Sequence, residues 1–237
     1  PWPQAKEILE RIIENYQIAD RDQVPVCQDT GMACVFLKIG QEVHIEGDVT
    51  AAVNEGVRQG YTEGYLRKSV VRDPLDRVNT GDNTPAMIYY ELVPGDKLEI
   101  TVAPKGFGSE NMSRVFMLKP ADGIEGVKNA ILTAVKDAGP NACPPMVVGV
   151  GIGGTFEKCA LLAKKALTRN INEESPIEYV RNLEKERNIP KEDAVKVIMA
   201  TALNDEKNVK MAFDLGCTIY SGKPIDQDRF EQALKKL

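Results

Sequence analysis

Val26-Cys27-Gln28-Asp29-Thr30-Gly31 runs directly into Met32-Ala33-Cys34-Val35-Phe36-Leu37-Lys38. The first six residues follow Pro25 and combine a thiol, three hydrogen-bonding side chains and a glycine, which is the chemistry of a turn. The next seven are almost continuously apolar and too few for a stable helix, so they predict a buried strand. A buried strand needs further strands beside it and helices over it. Both patterns follow in the sequence, which places the chain in the α/β (mixed α+β) class.

Upstream, Ile8, Leu9, Ile12, Ile13 and Tyr16 recur at helical spacing and predict a helix over 4–19. Downstream, 49–68 is expected to be an amphipathic helix with Ala52, Val53, Val57 and Tyr61 on one face. From Asp73 to Pro85 the chain is rich in turn residues. Strands are expected at 86–93 and 97–103, and the short Pro94-Gly95-Asp96 link predicts that they pair as a hairpin. Lys105 to Asn111 is expected to be a glycine loop, 123–137 a helix, 146–150 a short strand, and about 156–167 a helix. The charged, helix-prone stretch 175–211 and a closing helix at 227–236 predict a helical C-terminal segment. A domain over 1–170 and a segment over 171–237 are the expected divisions.

The 237 residues, 43% hydrophobic and 27% charged, suit a globular chain with a sizeable core. A net charge of −5 without basic blocks argues against a nucleic-acid binder. No apolar run reaches the roughly 18 residues of a membrane span, and no signal peptide opens the chain. Five cysteines, odd in number and widely spaced, suit a reducing compartment. The expectation is a soluble cytoplasmic protein. Pro1-Trp2-Pro3 leads straight into a helical pattern, as a fragment or a chain lacking an earlier helical segment would.

Among the cysteines, Cys34 in the strand and Cys159 on a helix face have apolar neighbours and read as packing residues. Cys27 and Cys143, the latter in Asn141-Ala142-Cys143-Pro144-Pro145, lie in turns and read either as metal or cluster ligands or as plain loop residues. Iron–sulfur clusters are held by such thiolates, and loop amides can hydrogen-bond their sulfurs. His44, the lone histidine, is expected to be structural in a strand-like Val-His-Ile context, which argues against a histidine triad or a multi-histidine zinc site. Gly149-x-Gly151-x-x-Gly154 formally matches a dinucleotide fingerprint, but a second strand ending in an acid is not evident after it. Gly222-Lys223 is followed by Pro224 where a phosphate loop needs Ser or Thr.

Taken together, several motifs resemble the alpha subunit of class I iron–sulfur fumarate hydratases and the related tartrate dehydratases. They are Val26–Gly31, Gly64-Tyr65-Leu66-Arg67-Lys68-Ser69, Asp76 through Pro85, Lys105 through Asn111, Cys143-Pro144-Pro145, and Gly149 through Thr155, in one order over about residues 4–169. The resemblance implies an alpha-type hydro-lyase domain with a 4Fe–4S cluster that has one open iron, acting on fumarate and malate or on tartrate. It implies that Cys27 and Cys143 ligate the cluster, and that Gln28 and Asp29 lie against the substrate as catalytic residues. Arg67 would clamp a substrate carboxylate, and the amides around Gly106 and Gly108 would donate to it. It further implies a beta subunit carrying the rest of the active site, an oligomer, and sensitivity to oxygen.

Read without the resemblance, Asp29 is equally an Asx-turn or cap residue, Arg67 a solvated helix-end arginine, and Gly106 and Gly108 a turn. Asp82 to Pro85 could likewise be a tight turn with self-satisfied side chains. The family pattern also places a third ligating cysteine after a Gly-Pro-Gln-Gly-like stretch, which this sequence lacks. Its late cysteine is Cys217, in Asp214-Leu215-Gly216-Cys217-Thr218. Three alternatives follow: Cys217 is the third ligand in a diverged tail, the ligand segment lies outside this sequence, or the protein is a cluster-free binding or assembly protein of the same fold.

Overall fold

The computed structural model describes residues 3–143, 146–170, 173–185 and 196–201. The chain falls into two compact units, Pro1–Phe107 and Gly108–Leu237.

In the first unit, helix α1 (Pro3–Asp22) precedes strand β1 (Met32–Gly40), helix α2 (Val49–Glu63) and strands β2 (Met87–Val93) and β3 (Leu98–Lys105). The apolar run at 32–37 does form a central strand, and it is buried on both sides. Ala33, Val35 and Leu37 pack with Val57, Tyr61 and Ala86, while Val53, Leu66 and Ile88 border that core. Cys34 and Phe36 are buried on the opposite face, and Phe36 stacks on Tyr89 with ring centroids 5.0 Å apart. Of the face predicted for α2, Val53, Val57 and Tyr61 point inward and Ala52 is exposed. Asp48 caps the helix by accepting the Ala51 amide at 3.0 Å. The helix stops at Glu63 rather than at 68, because Gly64 takes the C-cap position.

The predicted hairpin does not form. The sheet order is β2-β1-β3, with β1 parallel to β2 and antiparallel to β3. The short link between β2 and β3 instead straddles the end of β1. The amides of Gly40, Gln41 and Glu42 donate to the carbonyls of Lys97, Val93 and Gly95. Any side chain at Gly40 would collide with that link, since a Cβ there would lie 2.2 Å from the Gly95 carbonyl oxygen. His44 is exposed on the segment after β1 and lies outside any strand, so the strand-like context expected of it is not realised.

The second unit contains α3 (Phe107–Asn111, which begins at the last residue of the first unit), α4 (Gly123–Ala138), β4 (Val147–Ile152), α5 (Phe156–Ala166), α6 (Glu178–Lys185) and β5 (Lys196–Thr201). Tyr179, Val180 and Leu183 of α6 are buried among Ile131 and Val135 of α4 and Val148, Val150 and Ile152 of β4. Glu184 is fully buried. Arg169 donates to it at 2.5 Å and the Ser175 amide at 3.3 Å, so the charge is paired where burial would otherwise be costly. Strand β5, parallel to β4, stands within the stretch 175–211 that was expected to be helical. The predicted helix at 227–236 lies outside the described residues.

The glycines of the dinucleotide-like fingerprint serve packing. Gly149 and Gly151 lie inside β4, where a Cβ would come within 2.2 Å of the Ala163 carbonyl oxygen and 2.0 Å of the Cys159 carbonyl oxygen on α5. They let helix and strand approach closely, whereas a phosphate site needs those first two glycines in the turn.

Candidate functional site

One end of the first unit's sheet collects most of the residues singled out by sequence. Antiparallel pairing sets Met32, at the start of β1, opposite Lys105, at the end of β3. Cys27 to Gly31, just before β1, therefore lie beside Gly106, just after β3. Parallel pairing sets Cys34 opposite Met87, which brings Asn83 to Ala86 alongside the same entry to β1. Three chain segments far apart in sequence thus meet at one sheet end.

Cys27 is exposed, in no disulfide, and lies on a bend. The Asn15 side chain of α1 holds the bend by donating to the Val26 carbonyl at 2.7 Å. Gln28 is exposed and Asp29 half-buried. No backbone amide among the described residues donates to Asp29, so the Asx-turn alternative is not realised. Its carboxylate instead lies against Gly106, where an added Cβ would be 2.6 Å from Oδ2. Arg67 is exposed three residues beyond the Gly64 cap, outside any helix or strand and not at a helix end, and its guanidinium has no partner among the described residues.

The segment bearing Arg67 is tied to the segment bearing Cys27. Thr30 Oγ1 donates to the Arg67 carbonyl at 3.0 Å, and the Tyr61 hydroxyl donates to the Thr30 carbonyl at 2.8 Å. Burial, then the nearby Cys34, push the Tyr61 hydroxyl up to about 12, so it stays a donor throughout the neutral range. Asn83, fully buried with φ 64, accepts the Ser69 and Val70 amides at 2.7 and 3.0 Å and donates to the Gly31 carbonyl at 3.0 Å. Asn79 donates to the Lys68 carbonyl at 3.0 Å. In the sequence alone this run reads as a motif or a turn, with no task for Asn83. The hydroxyl of Ser69 is shielded from solvent and finds no partner, the sole such side-chain atom among the described residues.

Asp82 does bear out the tight-turn alternative. It accepts the Thr84 amide at 3.0 Å and the Thr84 hydroxyl at 2.8 Å, just before the cis Thr84–Pro85 bond. Those bonds, the amide foremost, hold its carboxyl below the ordinary aspartate range. A depressed folded-state value means that its stabilisation is fully present above the unfolded-state pKa and is lost as pH falls through the folded one. Asp82→Asn is therefore expected to flatten the acid limb of thermal stability below about pH 4. Identical acid limbs in parent and variant would contradict this.

The remaining expected residues, Gly108 and Cys143 among them, belong to the second unit. Lys105 to Asn111 is only partly a loop, because Phe107–Asn111 closes one helical turn. Gly108 lies in that turn, where amides have no intrahelical acceptor. Cys143 is exposed, in no disulfide, and ends a 3₁₀ turn at Gly139–Ala142. Its φ of 58 is the left-handed conformation, which costs a non-glycine residue about 1–3 kcal/mol and is concentrated at functional sites. Cys217 lies outside the described residues, as do Pro144 and Pro145. Among the described residues no three His, Cys, Asp or Glu side chains cluster as ligands for a metal ion. No helix there is long and apolar enough to cross a membrane.

Comparison with known proteins places these residues in context. The sequence profile described as fumarate hydratase (Fumerase) matches residues 1–188. A Methanocaldococcus jannaschii protein provisionally named L(+)-tartrate dehydratase subunit alpha is 47% identical over 189 residues, 77% of this chain and 66% of that protein. The L(+)-tartrate dehydratase subunit alpha of an Escherichia coli strain is 34% identical over 183 residues, 76% of this chain and 60% of that protein. The matched stretch thus spans under two thirds of either relative.

Proposed function

The chain belongs to the fumarate hydratase (Fumerase) family, and from that membership we propose that it is the alpha subunit of a hydro-lyase that adds water to, or removes it from, a small dicarboxylic acid. The observation that carries this reading is the gathering of Cys27, Gln28, Asp29, Arg67 and Gly106 at one sheet end, with the Arg67 guanidinium and the Asp29 carboxylate left unpaired among the described residues. An exposed, unpaired arginine fork suits a carboxylate, which it can grip with two parallel hydrogen bonds.

The proposed cofactor is a 4Fe–4S cluster. Its donor chemistry fits what is present: Cys27 and Cys143 are exposed thiols in no disulfide, each on a turn, and Cys217 is the proposed third ligand. When bound, such a cluster supplies a Lewis acid that draws electron density from a C–O bond. The chain's own residues do the rest. Arg67 fixes the substrate by one carboxylate. Gln28 orients the hydroxyl end by hydrogen bonding. Asp29, held beside Gly106, is placed to hold or deliver the proton of the water that is gained or lost. Residues that strip the carbon-bound proton are proposed to come from a beta subunit, as the alpha-subunit names of the relatives suggest. Fumarate is the favoured substrate and tartrate the second. Oxygen sensitivity and a cytoplasmic, oligomeric complex complete the proposal.

The test is an anaerobic preparation of the chain with its partner subunit, assayed on fumarate, malate and tartrate, with iron and sulfide counted. Turnover of one of these acids together with bound iron and sulfide is the expected result. Retained partner binding without iron or turnover would favour the cluster-free assembly protein and sink the enzyme.

A further inference from the structure

Asn83 is the most deeply placed polar side chain of the first unit, with no exposed surface, and all three of its hydrogen bonds lead to segments that carry proposed site residues. Its orientation is fixed by chemistry: one end faces two amide donors and must be the oxygen, and the other faces a carbonyl and must be the NH2. The oxygen grips the backbone two and three residues beyond Arg67. The nitrogen grips Gly31, two residues beyond Asp29. Thr30 adds a second link between the same segments through the Arg67 carbonyl.

We propose that Asn83, assisted by Thr30, is a positioning residue that sets the separation of Arg67 from the Cys27–Asp29 turn. This rests on the hydro-lyase reading above. A simple turn residue would satisfy its own loop, as Asp82 does with Thr84, two residues on. Asn83 instead spends every donor and acceptor it uses on other segments. Its left-handed backbone, which asparagine tolerates better than most residues, turns the side chain inward toward them.

The informative variant is Asn83→Asp. A carboxylate still accepts the Ser69 and Val70 amides but sets an oxygen against the Gly31 carbonyl, so it breaks one link and keeps the other. In the anaerobic complex, counted per iron-loaded molecule, kcat/KM is expected to fall on the order of 10²-fold, the usual penalty for displacing a site group by about 1 Å. Arg67→Lys is expected to cost a similar factor. The double variant is expected to lose little beyond the worse single one, because an arginine that is no longer there cannot be misplaced. In the iron-free chain, amide exchange over 28–32 is expected to accelerate while that of α2 is unchanged.

Should Asn83→Asp not fold, Thr30→Val carries the same cycle, since it removes only the hydroxyl link to Arg67 and keeps the shape. Fully multiplicative losses, parent-level turnover or unchanged exchange would overturn the positioning role. A parent complex with no turnover at all would instead overturn the functional reading, and the two failures are therefore separable.

Discussion

Cys27→Ser is expected to remove bound iron and the broad visible absorption from the anaerobic complex and to abolish turnover, while Cys159→Ser leaves all three near the parent level. Cys27 is exposed on a bend and in no disulfide, so its thiol does little for the fold. Its loss should change stability by no more than about 0.5 kcal/mol, as for surface substitutions elsewhere. A hydroxyl is a far poorer ligand for an iron–sulfur cluster than a thiolate, and the functional cost should therefore be near total. Cys159 makes a local bond to the Phe156 carbonyl at 3.2 Å, which serine can reproduce. Cys143→Ser should behave like Cys27→Ser without altering the left-handed backbone at that position. Cys217→Ser then decides whether the third ligand lies in the tail. Equal iron in the Cys27 and Cys159 variants would remove the cluster from the account.

Much of the architecture around Cys27 could be read from local pattern, because period and turn chemistry report on neighbours in sequence. The apolar run at 32–37, the inward face Val53-Val57-Tyr61 and the turn-rich stretch to Pro85 all lie where their chemistry put them. Pairing was the weak point. A short Pro-Gly-Asp link is the ordinary signature of a hairpin, but here it bridges over β1, which is possible because Gly40 has no side chain. The cue for the alternative was the strand-helix-strand order β1-α2-β2, which favours parallel neighbours. At Lys196–Thr201, averaging over a long charged window hid a compact Val-Ile-Met core with strand propensity. Asn83 illustrates a further limit. Its left-handed turn position could be guessed, but its bond to Gly31 spans 52 residues, and only the assembled sheet brings the two together.

The packing of that sheet end yields the other large effect, at Gly31. Its φ of +56 already disfavours a side chain, and an added Cβ would lie 1.9 Å from the Lys105 carbonyl oxygen, 2.3 Å from the carbonyl carbon and 2.7 Å from the Gly106 Cα. All three are backbone atoms at the end of β3, held by the pairing of Met32 with Lys105. Nothing there can swing aside, so Gly31→Ala must open the β1–β3 ladder or shift the turn. Left-handed strain of about 1–2 kcal/mol and overpacking of about 1–3 kcal/mol add to roughly 2–5 kcal/mol. In a unit of this size the thermal midpoint should fall by about 8 °C or more. Gly106→Ala offers the contrast. The three atoms nearest to its Cβ would all belong to the Asp29 carboxylate, the closest being Oδ2 at 2.6 Å, and a side-chain end can rotate away. Stability should then stay within about 1 kcal/mol of the parent, while turnover falls on the order of 10²-fold because Asp29 has been moved. A stable Gly31→Ala protein would show that the two strand ends do not approach as closely as the pairing requires. A fully active Gly106→Ala enzyme would show that Asp29 acts from some other place.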